Sequence, residues 1–94
     1  MRKLKILGYN YTIEEQGDSD TIGAFGNSNS KTQCIHIATD LAPEQKQSTV
    51  LHEVIEAINY HLSLGLKHDT IMRLETALFQ TLRDNGVSLS KLGE

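Results

Sequence analysis

The chain has 94 residues, 38% of them hydrophobic and 22% charged, with a formal net charge of −3. That suffices for one domain with a single modest core, and the balance excludes a disordered chain or an integral membrane protein. The nine Lys and Arg residues are scattered, with only Arg2, Lys3 and Lys5 clustered, so there is no electrostatic footprint for nucleic acid. Aromatic residues make up 5% of the chain and Trp is absent, which leaves the core to Leu, Ile, Val and Ala. Cys34 is the single cysteine, so no intramolecular disulfide can form. The N-terminal "MRKLKILGYNYTIEE" has no apolar run long enough for a signal peptide or a membrane span, and a cytoplasmic protein is expected.

In chain order, "KLKILGYNYTIEE" alternates and is rich in Ile and Tyr, which predicts one strand over roughly residues 3–15. "QGDSD" is turn chemistry, and "TIGAFGNSN" predicts a short strand running out into a polar loop. "KTQCIHIATD" alternates again, with Cys34, His36 and Ala38 on one face and Gln33, Ile35, Ile37 and Thr39 on the other. A small, mostly antiparallel three-stranded sheet over residues 1–40 is the economical arrangement.

The remainder predicts a two-helix hairpin, making the fold class α+β. Pro43 suits the first turn of a helix and Glu44 favours the positive end of its dipole. This helix, within residues 41–65, carries Leu51, Val54, Ile55, Ile58 and Leu62 as an apolar stripe, with Gly65 as its stop. A second helix is expected over 68–85, with Asp69 as N-cap and Ile71, Leu74, Leu78 and Leu82 as its stripe. Residues 86–94 read as a tail with a weak "LSKL" contact.

Within the first helix lies "HEVIE". At about 100° per residue, Glu56 falls about 40° from His52 and one turn further along, so the two side chains can hold one ion. Asn59 continues that line. The familiar zinc-protease pattern is H-E-x-x-H, and here the second ligand position is Glu56. Glu53 points elsewhere on the helix and can reach a water beside the metal, the place of a general base. A carboxylate ligand adds negative charge, which weakens the ion as a Lewis acid. On the second helix Glu75 falls inside the apolar stripe, where an unpaired carboxylate is costly. His68 lies near it on the same projection, so a hairpin would bring His52, Glu56, His68 and Glu75 together. Plain readings stand beside these: His68 as a loop histidine, Glu75 paired with Arg73 or Lys67, His36 and His61 as structural or surface residues, and Cys34 as a buried small hydrophobe.

The segments "TQCIHIATDLAPEQKQSTVLHE" and "LFQTLRDN" resemble those of small phage and prophage proteins with a minimal zincin-like core, related to the ImmA/IrrE metallopeptidases. The resemblance covers roughly residues 32–86. It implies His52, Glu56 and His68 as metal ligands, Zn²⁺ or another divalent ion as cofactor, and Glu53 as catalytic base. Glu75 has no standard place in such a site and is read as an outer partner of His68 or a fourth ligand. Residues 33–39 would be the edge strand that aligns an extended peptide by backbone pairing.

Three functions compete on these residues. The first is a small zinc metallopeptidase acting on a peptide or protein. The second is a catalytically inactive zincin-fold protein that binds and modulates a host factor. The third is a metal-free interaction module in which Glu56, His68 and Glu75 form a hydrogen-bonded cluster. So small a chain has little room for a substrate cleft, which leaves a homodimer or larger complex to complete it.

Overall fold

The computed structural model describes residues 2–90, with the backbone alone for residues 21 and 22. The chain begins with strands β1 (Arg2–Ile6) and β2 (Tyr9–Glu15), then a short helix α1 (Ser19–Ile22). Strands β3 (Gly26–Asn29) and β4 (Cys34–Ile37) follow, and helices α2 (Pro43–Leu62) and α3 (His68–Asp84) complete the fold. The architecture is α+β, as expected, but the sheet has four strands in the order β1-β2-β4-β3 and is mixed.

Three features depart from the expected sheet. The alternating run 3–15 is two strands, not one. Leu7 and Gly8 both have positive φ (52° and 84°), which closes a two-residue hairpin with Ile6 opposite Tyr9. Glycine adopts such a conformation freely and Leu7 is held in it by the strand pairing on either side. Secondly, β2 and β4 run parallel, with Ile13 opposite Ile35. The chain passes through α1 and β3 before β4 returns into the gap between β2 and β3. Thirdly, β4 is therefore interior, and the strand with an open edge beside α2 is β3. The backbone-pairing role expected of residues 33–39 cannot be theirs, because both sides of β4 are already paired.

One sheet face carries Ile6, Tyr11, Ile13, Ile35 and Ile37, which pack with Val50 and Ala57 of α2 to form the core. Gly26 lets β3 come close to that helix. A Cβ there would lie 2.7 Å from Thr49 Cγ2 and 2.9 Å from the His36 carbonyl oxygen.

α2 begins at Pro43, as expected, and ends through a left-handed Ser63 (φ 52°), with Leu64 N–H donating to the Asn59 carbonyl. The stop is thus two residues before Gly65. Helix α3 starts at His68 after Lys67, so Asp69 lies in its first turn and is not the N-cap. The contacts between α2 and α3 run in opposite senses: Glu44 with Arg83, His52 with Glu75, and Glu56 with His68. The helices thus form an antiparallel hairpin.

The roll of α3 differs from its expected stripe. Ile71 is buried at 1% exposure, whereas Leu74 and Leu78 are 39% and 42% exposed. Half-buried Glu75, Phe79 and Leu82 share the inward face with Ile71. Among the described residues no helix is long and apolar enough to cross a membrane. The expected "LSKL" contact falls partly beyond the described residues.

Candidate metal centre

α2 runs between the sheet and α3. Its sheet-facing side presents Val50, Val54, Ala57 and Ile58 to the core, while His52 and Glu56, one turn apart, face α3. Asn59 continues their line and fixes the connection. Its side-chain amide donates to the Leu66 carbonyl at 3.2 Å, and its side-chain oxygen accepts from the Leu66 N–H at 2.9 Å. Held at both groups, residue 66 sets where α3 begins and so where His68 stands.

The structure brings three expected ligands together. His52 Nε2 lies 3.4 Å from Glu56 Oε2, and His68 Nδ1 lies 3.6 Å from the same oxygen. One ligand atom from each of the three residues falls within 4.8 Å of the others. Nitrogen and oxygen donors bound at about 2.0–2.2 Å to a tetrahedral ion are about 3.3–3.5 Å apart. Both separations to Glu56 are close to that edge and longer than a strong charge-assisted hydrogen bond, which is about 2.7–2.9 Å. The set His/Glu/His is close enough to hold a metal ion, and its mixture of imidazole and carboxylate suits zinc and other first-row divalent ions.

Glu75 is placed differently from expectation. Its Oε1 lies 2.9 Å from His52 Nδ1, so it partners His52 and not His68. A carboxylate accepts, so Nδ1 donates, and Nε2 is left facing Glu56. The cost of a carboxylate in the α3 stripe is met by this bond. An acid on the far nitrogen of a metal-binding histidine fixes the ring's tautomer and orientation. The helical projection located Glu75 on the inward face but could not name its partner, which depends on the roll of α3.

Glu53 faces β3 and is buried. Burial pushes its carboxyl above the ordinary range, and the nearby Glu56 and Glu75 carboxylates push the same way. A hydrogen bond with Ser28 on β3 and the neighbouring His52 act in the opposite direction. Ser28 carried no signal in the sequence, since "GNSN" reads only as a polar loop. A cavity of about 210 Å³ is lined by His52, Glu53 and His68 together with Phe25, Gly26 and Met72. An acid with an elevated pKa therefore shares one opening with two of the candidate ligands.

The remaining histidines lie elsewhere. His61 Nε2 is 2.6 Å from the Tyr11 hydroxyl and its ring stacks on Tyr9, a structural place at the end of α2. His36 is on the far face of the sheet beside Cys34, which is half-buried and not the enclosed hydrophobe expected. Comparison with protein-family models, with curated proteins and with solved structures finds no match.

Proposed function

We infer that this chain is a divalent-metal protein of zincin-like design, with zinc held by His52, Glu56 and His68, and that it hydrolyses amide bonds in peptides. The observation that carries the reading is the convergence of three donors within 4.8 Å, with Glu56 3.4 and 3.6 Å from the two histidines and Glu53 opening into the same cavity. Held by His52, Glu56 and His68, a divalent ion would supply Lewis acidity to a water and to a carbonyl oxygen. Glu53, which lines the same cavity, would serve as the group that accepts a proton from such a water and returns it to the leaving amine. Burial raises its pKa, the direction that makes a carboxylate a stronger base. Glu75 holds the His52 ring through Nδ1. The open edge of β3, beside the cavity, offers backbone groups for an extended peptide.

A metal-binding but inactive protein is the second reading, favoured by the carboxylate at the second ligand position. Glu56 adds negative charge next to the ion and makes it a poorer Lewis acid than a third histidine would. The resemblance to phage-encoded zincin-like proteins accommodates either reading.

The test uses the Cys34→Ser chain, which removes the thiol as a source of metal binding. The proposal expects one zinc per chain, its loss in Cys34→Ser/His52→Ala, and cleavage of a random peptide library that stops in Glu53→Gln while zinc stays bound. Bound zinc without cleavage supports the inactive reading. Failure to bind zinc overturns both.

A further inference from the structure

Two large apolar side chains stand outside the core. Phe25, just ahead of β3, is 51% exposed, and Met72 on α3 is 49% exposed. Both line the cavity of about 210 Å³ that His52, Glu53 and His68 also line. Met72 follows His68 by one helical turn, so the two side chains share a flank of α3. The Phe25 carbonyl accepts the Ala38 N–H at 2.8 Å, which ties its backbone to the end of the sheet and holds the residue at the opening.

The polar groups around this space are engaged with one another. The Thr49 hydroxyl donates to the Gln45 carbonyl at 2.6 Å, and its methyl group faces Gly26. Glu53 is bonded to Ser28, Glu75 accepts from His52, and Glu56 lies between His52 and His68. What the cavity offers a guest is therefore mainly the Phe25 ring, the Met72 thioether and the methyl groups of Ala24 and Thr49. Size narrows the guest further. A dry apolar cavity of about 150 Å³ holds a benzene molecule. This larger one holds a leucine, methionine or phenylalanine side chain, and an alanine leaves most of it unfilled.

We propose that this cavity is the side-chain pocket for an extended peptide and selects one large apolar residue, with Phe25 and Met72 as the walls that determine specificity. The inference rests on the peptide reading of the site and adds to it the kind of side chain the substrate carries. The open edge of β3 begins at Gly26, itself part of the cavity lining, so a peptide paired along that edge runs past the pocket mouth. Successive side chains of an extended peptide point to opposite faces, so one enters the pocket while its neighbours turn away. Its entry takes Phe25 and Met72 out of water as well, and that shared apolar burial is the source of the selection. Met72 is unbranched and adaptable, which suits branched and aromatic guests alike.

A basic side chain is the competing occupant, drawn by Glu53, Glu56 and Glu75. Each of these carboxylates already has a partner in the chain. A lysine would lose its hydration against Phe25 and Met72 and find no free acceptor in return.

The test is a titration of the full chain, with a chelator present, by capped pentapeptides of glycine that carry leucine, phenylalanine, alanine or lysine at the centre. Heteronuclear NMR reads the binding. The proposal expects the leucine and phenylalanine peptides to bind at least about tenfold more tightly than the alanine peptide, the discrimination that a few methylene groups give. Their binding should shift the amides of Phe25, Gly26 and Met72. Met72→Gln and Phe25→Ser, both at half-exposed positions, should each reduce the preference for leucine over alanine. No saturable binding of the leucine peptide overturns the proposal. So does a preference below tenfold, tightest binding of the lysine peptide, or a preference unchanged in both variants. Because no metal takes part, these outcomes leave the zinc reading to its own test, and failure of zinc to bind leaves the pocket to this one.

Discussion

Glu75 Oε1 and His52 Nδ1, on facing helices, are 2.9 Å apart. This bond fixes which nitrogen of His52 turns toward Glu56 and His68, and it joins the roll of α3 to the geometry of the ligand cluster. The distance from the bond to the ligands is one imidazole ring, so what disturbs α3 at Glu75 is felt at Nε2.

Replacing Glu75 by Gln keeps the shape and removes the strong acceptor. Zinc affinity should fall about 10–100-fold, as when the outer partner of a metal-bound histidine is lost. Competition with a chromophoric chelator measures it, and circular dichroism should show the helices retained.

Glu53→Gln removes a carboxyl whose charged form is disfavoured by burial. At neutral pH the metal-free variant should be more stable than the wild type by about 1 kcal/mol, an ordinary size for a single substitution. Urea unfolding measures the difference. A gain in stability with loss of turnover is the pattern of a residue kept for function.

Gly26→Ala places a methyl group 2.7 Å from Thr49 Cγ2 and 2.9 Å from a backbone oxygen. The edge strand must move off α2, taking Ser28 away from Glu53. The expected loss is about 1–3 kcal/mol, the usual cost of overpacking, readable as a lower urea midpoint.

The roll of α3 predicts a contrast among its apolar residues. Ile71→Ala should cost about 2–5 kcal/mol, as for other buried Ile truncations. Leu74→Gln and Leu78→Gln should each stay within about 0.5 kcal/mol, as surface substitutions do. Thermal or urea unfolding of the three variants checks the ordering, and large losses at Leu74 and Leu78 would place the helix in its sequence-expected orientation.

Asp40 supplies a pH-dependent contact. Its carboxylate accepts the Ser19 N–H at 2.9 Å and the Ser19 hydroxyl at 2.8 Å, and the side-chain bond, then the backbone bond, holds its pKa below the usual range. The folded chain therefore releases this proton more readily than the unfolded chain. The contribution is complete above the unfolded value of about 3.9 and is lost as pH falls through the lower, folded value. Exchange of the Ser19 amide should quicken at neutral pH in Asp40→Asn, and that difference from the wild type should vanish in strong acid.

The helices were legible because their signals are local. Pro43 opens α2 within one residue of expectation, and the i, i+4 geometry of His52 and Glu56 follows from helical rotation alone. The first hairpin was hidden because alternation continues straight through Leu7 and Gly8, and Leu is not a turn-forming residue. The parallel pairing of β2 with β4 joins Thr12 to Cys34 across α1 and β3, and no local pattern encodes it. The edge strand "GNSN" lacks an apolar face of its own, so its importance emerges only where Gly26 meets Thr49. In α3 the stripe through Leu74 and Leu78 suggested one roll, and the His52–Glu75 bond accompanies another. The approach of His68 to Glu56 needed the hairpin itself, which Asn59 fixes through the backbone of residue 66.

The most direct measurement is anomalous diffraction at the zinc edge from crystals of the zinc-treated chain. A peak is expected about 2.0–2.2 Å from His52 Nε2, Glu56 Oε2 and His68 Nδ1. Zinc-saturated crystals with no peak among those three atoms would contradict it, and the cluster would then be an ion-pair network between two helices.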